Sequence, residues 1–347
     1  MRRGDGTLHR AATGAAVSSR VEHGARRPQL SVSVRNYAAS APEDWRHVLD
    51  QARAADDAGI DRIYVSDHVV FGGDLGDYSD PRRGGRANGA QPTGPDGEWM
   101  EALTVVSAMA AVTSRVRIGT NVLVAPLRPP VLLAKMAATI DALSHGRFEL
   151  GVGIGWQQAE YDALGVDYAR RGSILDEQLA ACRELWTAPV ASFAGEHVTF
   201  EGIHMMPKPA RTDGVPVWLG GSVKPFVARR LAQYAHGWIP WGVPAEDYAS
   251  HLGEMRALVE AEGGDFDRIQ VAYALPPRFT DDRQVDHDAL FADVASLVAV
   301  GVTDFRSGLR VPPSYEAAYE MFAGLVAAFD RAAAHSPLSA DEGLPTN

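Results

Sequence analysis

The chain has 347 residues, 46% of them apolar and 22% charged, long for an ordinary single domain but within the range of one large α/β barrel. Its formal net charge of −11 opposes binding to nucleic-acid phosphates, and no run approaches the roughly 20 consecutive apolar residues that cross a bilayer. Cys182 is the single cysteine, which excludes an internal disulfide, disfavours a cysteine-based metal site and suits a reducing cytoplasm.

Residues 1–28 carry six arginines, few acids and no apolar run. Such a segment cannot bury enough surface to order itself, and Arg2-Arg3 lacks the apolar stretch an export signal needs. It is expected to be a disordered extension or a misplaced start. Residues 29–335 then alternate short β-rich runs with helical patterns, the signature of βα units around a parallel sheet. Strands are predicted at Leu30–Val34, Arg62–Val65, Val116–Leu123, Phe148–Val152, Val217–Gly220, Gly237–Pro240, Ile269–Leu275 and Thr303–Arg306. Eight of them favour a closed (β/α)8 TIM barrel over a doubly wound sheet.

The helices between them keep apolar residues at helical spacing, as in Tyr248, Leu252, Met255 and Val259, or Leu290, Val294, Leu297 and Val298. Pro42 is expected at the start of the first helix, Gly59 just past its end and Gly301 past the seventh. The last helix repeats the pattern with Tyr315, Tyr319, Phe322, Val326 and Phe329, and residues 336–347 are expected to form a flexible tail. Two connections exceed the usual two to six residues. His68 to about Glu98 follows the second strand; about Pro189 to Gly214 precedes the fifth, with Ala191–Phe193 and His197–Phe200 flanking Ala194-Gly195-Glu196 like a small hairpin.

Chemistry in a barrel gathers at the C-terminal ends of the strands. The second strand ends in Val65-Ser66-Asp67-His68, where a carboxylate stands next to an imidazole able to move a proton near neutral pH; the plainer alternative is a turn cap beside a rim residue. In the third strand Asn121 is a polar residue within an apolar run, and it needs a hydrogen-bond partner from a ligand or from neighbouring backbone. Gly151-Val152-Gly153-Ile154-Gly155-Trp156 after the fourth strand lets backbone approach a ligand closely, or forms a tight turn. Gly220-Gly221-Ser222 opens a helix and suits an anion cradle. No H-E-x-x-H, nucleophile elbow or Walker loop is present, and no metal is expected.

Four blocks in this order resemble the luciferase-like monooxygenase superfamily, most closely its F420-dependent branch: Tyr64 to Phe71, Val116 to Lys135, Gly146 to Trp156, and Val215 to Ser222 ending in His236-Gly237-Trp238. The resemblance implies a barrel binding coenzyme F420 across its mouth, with FMN as the alternative cofactor, and a homodimer. It implies that Asp67 and His68 meet ring and substrate, that Asn121-Val122 form a bulge behind the ring, often as a non-proline cis peptide, and that Val124, Gly153, Ile154, Gly155, Gly220, Gly221 and Ser222 join them in holding the cofactor. Two departures matter. Trp156 stands where the family's sugar-phosphate dehydrogenases have a glutamate, which argues against alcohol oxidation with a paired carboxylate; His236 stands where an aspartate is usual.

The expected activity is hydride transfer between the deazaflavin and an activated C=C, C=N or C=O bond of a small organic substrate, with His68 as proton donor. Rival readings are an FMN-dependent monooxygenase using reduced flavin and oxygen, an NAD-dependent dehydrogenase suggested by the glycine run, and a non-catalytic binding barrel. Phe71, Tyr78 and Trp99 in the first long insertion are expected either to cover the pocket or to pack the lid itself.

Overall fold

The computed structural model describes residues 27–80, 89–243 and 245–334. The expected extension lies outside them except for its last two residues. The expected tail and residues 81–88 of the first insertion also lie outside.

The chain folds as a closed parallel barrel. Its strands are β1 Gln29–Ser33, β2 Arg62–Val65, β3 Arg117–Thr120, β4 Phe148–Gly153, β5 Val217–Gly221, β6 Gly237–Pro240, β7 Gln270–Leu275 and β8 Asp304–Ser307. They run in sequence order around the barrel, β8 pairing back onto β1 with Phe305 opposite Leu30, and β4 joining the halves with Leu150 opposite Val217. Helices α1 His47–Ala58, α2 Ala102–Val112, α3 Pro130–Leu143, α4 Arg171–Thr187, α5 Pro225–Tyr234, α6 Tyr248–Ala261, α7 Val294–Ala299 and α8 Tyr315–Ala333 follow the strands in turn. This is the (β/α)8 TIM barrel.

Three expectations need correction. The third strand is not continuous: after Thr120 the chain breaks at Asn121–Val122, a non-proline cis peptide, and resumes as Leu123–Val124 against β4. The first helix starts at His47 rather than near Pro42, because Asp44 takes the Arg46 N–H and the His47 ring into a local turn. The pattern from Leu290 to Val298 is divided between a short helix, His287–Phe291, and α7, although Leu290, Val294 and Leu297 all stay buried. The expected hairpin is present as Ala191–Ala194 paired with Thr199–Ile203.

Alternation along the strands separates two environments. Leu30, Val32, Ile63, Ile118, Phe148, Leu150, Leu219 and Phe305 belong to the main apolar core with the helices. The barrel interior is ionic at its base. Arg62 bridges Glu149, at 2.7 Å, and Asp304; Arg306 Nε also reaches Asp304, at 2.6 Å, and Trp218 Nε1 donates to Glu149 at 2.7 Å. Burial pushes both carboxyls up, but Arg62 with Arg117 at Glu149, and Arg62 with Arg306 at Asp304, more than offset it and hold them below the ordinary carboxylate range. Such a network stands or falls as a unit, since removing one partner strands a buried charge. Among the described residues no helix is long and apolar enough to cross a membrane.

Candidate active site

The exit from β2 is clamped before any chemistry begins. Asn36, fully buried, donates to the carbonyls of Ser66 and Met100 and accepts the Ser66 N–H. This fixes the direction in which Asp67 and His68 leave the strand.

Asp67 points at the exit of β3. One oxygen accepts the Val124 N–H at 2.9 Å and Arg128 Nη1 at 2.6 Å, and the other accepts Arg128 Nη2 at 2.7 Å. Arg128 Nη2 also reaches Glu101 at 2.9 Å. Forked pairing of this kind is directional as well as strong. Both Asp67 oxygens are thus engaged in holding the segment after the cis peptide, and the expected partnership of Asp67 with His68 is not what the structure contains.

His68 turns instead to Glu160, on the short helix Gln158–Ala163 that follows β4. Its Nδ1 lies 3.0 Å from Glu160 Oε2, while Glu160 Oε1 accepts the Val69 N–H at 2.8 Å. Glu160 is 0% exposed and His68 8%. No described residue hydrogen-bonds Nε2. Around the imidazole stand Phe71 at 4.5 Å, Trp99 at 4.9 Å and Trp156 at 5.8 Å between ring centres. Tyr37 stacks on Trp99 at 4.3 Å, and Tyr78 meets Trp156 at 5.4 Å. The aromatic residues of the first insertion therefore wall in the histidine. Trp156 stands after the third glycine as the sequence has it, and the carboxylate that pairs with His68 is the buried Glu160 on the next turn of chain.

Beside this wall lies the bulge. Asn121 donates its backbone N–H to Val65 at 2.8 Å, and its Oδ1 accepts Arg306 Nη1 at 3.0 Å, so its amide is satisfied by protein on that side. The Arg306 guanidinium lies 4.6 Å from the Trp218 ring and 5.4 Å from that of Tyr64. Val122 packs on Trp218, Ile239 and Ala272 and stays partly exposed.

The glycines serve this bulge. A Cβ on Gly153 would meet Val122 Cγ2 at 2.8 Å, and one on Gly220 would meet Val122 Cγ1 at 3.1 Å. Gly155, at a φ of +64° that side chains rarely adopt, faces Val124 Cγ1 at 2.7 Å from where a Cβ would stand. Close approach does occur at the glycine run, but to the valines after the cis peptide. The Ile154 carbonyl accepts from Tyr161 Oη at 2.5 Å. Gly221 gives its carbonyl to Trp238 Nε1 at 2.8 Å, while Ser222 is exposed ahead of α5, whose first turn has Lys224 at the cap position and no side-chain cap.

Two buried donors near His68 lack acceptors among the described residues: Trp156 Nε1 and Gln157 Nε2. A cavity of about 1050 Å³ opens between the loops after β1 and β8, with Arg35, Tyr37, Gln51 and Arg310 on its wall, so it adjoins the ring that stacks on Trp99. One group among the described residues, Glu177, Glu196 and His197, is close enough to share a cation. It lies at the hairpin, and the Glu177 carboxylate already accepts the backbone N–H groups of Glu196, His197 and Val198.

Sequence reasoning missed Glu160, Arg128, Arg306 and Asn36. Arg128 and Arg306 each lie just beyond or within a strand's C-terminal end, which was a usable signal. Glu160 gave none, being one acid in a polar-looking helix.

The chain belongs to the luciferase-like monooxygenase family, whose model matches residues 28–320. It is 30% identical over 282 residues to the uncharacterized protein Rv0940c of Mycobacterium tuberculosis strain H37Rv, covering 79% of this chain and 88% of that protein. In structure it is similar to an F420-dependent secondary alcohol dehydrogenase in complex with an F420-acetone adduct, at TM-score 0.66, 16% identity and 87% and 99% coverage of the two chains. It is also similar to the oxygenating constituent of 3,6-diketocamphane monooxygenase from the CAM plasmid of Pseudomonas putida, a type II Baeyer–Villiger monooxygenase in complex with FMN, at TM-score 0.64, 14% identity and 86% and 97% coverage. These likenesses establish the fold; both cofactor chemistries occur on it.

Proposed function

We propose that the protein is a coenzyme F420-dependent oxidoreductase acting on an activated C=C, C=N or C=O bond of a small organic substrate. The observation that carries the reading is His68: one nitrogen tied to a buried carboxylate, the other without a protein partner, set at the barrel mouth in an aromatic enclosure.

The residues present fit a planar conjugated cofactor. Val122, Trp218, Ile239 and Ala272 offer an apolar floor, and Arg306 offers a cation at its edge. The glycines at 153, 155 and 220 keep Val122 and Val124 seated low, so that the floor stays free of projecting side chains. Asn121, Val122 and Val124 would back the ring; Gly153, Ile154 and Gly155 would support it through the bulge; Gly220, Gly221 and Ser222, with the uncapped start of α5, suit the phosphate-bearing tail. Asp67 acts at one remove, through Arg128 and the Val124 N–H.

Bound in its reduced form, a deazaflavin would supply the hydride, two electrons with the hydrogen, for the substrate carbon at the barrel mouth. The chain's own part is to exclude water with Phe71, Trp99 and Trp156, to orient the substrate against the mouth, and to give a proton from His68 Nε2 to the atom bonded to that carbon. The reverse transfer uses Nε2 as base.

A second reading has one observation in its favour, the FMN-bound monooxygenase that shares the fold over nearly its whole length. Titration of the purified protein with F420 and with FMN, followed by fluorescence, separates the two. Micromolar or tighter binding of F420 with negligible binding of FMN is expected; the opposite preference would replace hydride transfer by oxygen-dependent monooxygenation.

A further inference from the structure

We infer that Glu160 is the positioning residue of the His68 proton step: it holds the ring proton on Nδ1 so that Nε2 alone exchanges a proton with substrate. The inference rests on the proposed role of His68 but is read from separate geometry.

Three features point to it. Glu160 is completely buried, and its nearest polar partners are the His68 ring, at 3.0 Å, and the Val69 N–H, at 2.8 Å. No lysine or arginine pairs with it among the described ion pairs, in contrast to Asp67, Glu149 and Asp304, each of which has a guanidinium. The imidazole is therefore its one ion-pair partner among the described residues, and the neighbouring Tyr161 phenol gives its hydroxyl to the Ile154 carbonyl instead. The second feature is the grip on Val69, the residue after His68, which fixes the backbone of the histidine's own loop with the other oxygen of the same carboxylate. Ring and backbone are thus set by one group, and the imidazole has little freedom to rotate between its two nitrogens. The third is that Phe71, Trp99 and Trp156 surround the ring without offering Nδ1 a competing acceptor.

The chemistry follows from what a carboxylate can do. An ionised carboxylate only accepts, so Nδ1 must carry a hydrogen in either charge state of the ring. A cationic ring then gives up the Nε2 proton to the substrate atom and becomes the neutral Nδ1–H tautomer, with the hydride's electrons already accounted for by the cofactor. Water returns a proton to Nε2 after product leaves. A histidine oriented by a carboxylate on its other nitrogen is a general device in proton transfer, and the orienting group's loss acts on the rate more than on binding.

Glu160→Gln tests this. Its Oε1 can still accept from Val69, but its NH2 group must donate to His68 Nδ1, which forces the proton onto Nε2. With ¹⁵N-histidine-labelled full-length protein and no cofactor added, His68, assigned by its loss in His68→Asn, is expected as Nδ1–H in the wild type and as Nε2–H in Glu160→Gln. With F420 and an activated alkene, kcat of the variant should fall about 10- to 100-fold while KM and the F420 Kd stay within about threefold, and Glu160→Asp, which keeps an acceptor-only group, should recover part of the loss. An unchanged tautomer, or a changed tautomer with unchanged kcat, would overturn the inference; so would an equal fall in Glu160→Asp with the wild-type tautomer retained. Normal turnover in His68→Ala would instead remove the reading of His68 itself, whatever the tautomer, so the two failures are distinguishable.

Discussion

The base of the barrel and its mouth are built from the same residue types to opposite ends. At the base, Arg62, Glu149, Asp304, Arg306 and Trp218 satisfy one another, and each charge faces an opposite one. At the mouth, His68 Nε2, Trp156 Nε1 and Gln157 Nε2 have no protein partner among the described residues. Buried polar groups are ordinarily paired, and Gln91, Asp141, Arg171 and Gln178 each hold an unpaired buried atom too, but at the mouth two such donors accompany an imidazole nitrogen with no protein partner, hydrogen-bonding capacity that a ligand can use. Asp67 and Glu160 repeat the contrast on a smaller scale: one carboxylate is closed off by a forked guanidinium, and the other is given to a single imidazole.

The largest effect expected from breaking this contrast is at the mouth. His68→Ala should reduce turnover by about 10²- to 10⁴-fold, the usual contribution of a positioned acid or base, with the F420 Kd from fluorescence titration nearly unchanged. A loss of affinity that matched the loss of rate would place His68 in cofactor binding instead. At the base the effect should be on stability. Arg62→Met leaves Glu149 and Asp304 short of a buried cation and should cost about 3–5 kcal/mol in urea unfolding, whereas a change under about 1 kcal/mol would mean that Arg117 and Arg306 compensate.

The same network gives a pH dependence of definite sign. Because Glu149 and Asp304 have folded pKa values held below their unfolded ones, their contribution is fully present above roughly pH 4.5 and is lost as pH falls through the lowered folded values. Melting temperatures between pH 7 and pH 3 should drop more steeply in the wild type than in a Glu149→Gln, Asp304→Asn variant; parallel curves would show that other carboxylates set the acid limit. A smaller effect is expected at the bulge beside the mouth. Gly153→Ala brings a Cβ to 2.8 Å from Val122 Cγ2 and should cost about 1–3 kcal/mol, and Val122→Ala should relieve part of it in a double-mutant cycle. Additive single effects would mean that the glycine answers to something other than the valine. The smallest is at Cys182, whose thiol burial pushes up to about 12, so native protein should resist alkylation that proceeds readily in urea.

How far the sequence was legible follows from the range of the interactions involved. All eight barrel strands were readable, because each is a short run set between segments of helical periodicity, closed by a glycine, a proline or a polar residue. From the residues alone the break at Asn121 showed only as one polar residue out of place, whereas the family resemblance implied a bulge with a non-proline cis peptide there, and Asn121–Val122 has one. Partner choice was not readable: Asp67 and His68 are neighbours in sequence and looked like a pair, yet strand and loop directions send them to Arg128 and Glu160, 61 and 92 residues away. The glycine run is legible as permissive backbone, but what it makes room for, Val122 and Val124, depends on a backbone bend that only the family resemblance implied. Pro42 failed as a helix start for a local reason, since Asp44 captures the amide that would have begun the helix.

Most of the mouth is encoded early. Asn36, Asp67, His68, Glu101, Asn121, Arg128 and Glu160 all precede the midpoint of the chain, and their mutual bonds can form once β1 to β4 have been made. The floor comes later, from Trp218, Ile239 and Ala272 against Val122 and last from the contact of Arg306 with Asn121, which spans 185 residues. During synthesis, at roughly 5–20 residues per second, Asn121 therefore exists for about 10 to 40 s before Arg306 has been added to the chain. The site is completed by the last strand to be synthesised, so a truncated or stalled chain retains His68 and Glu160 without the Arg306 cation at the edge of the floor.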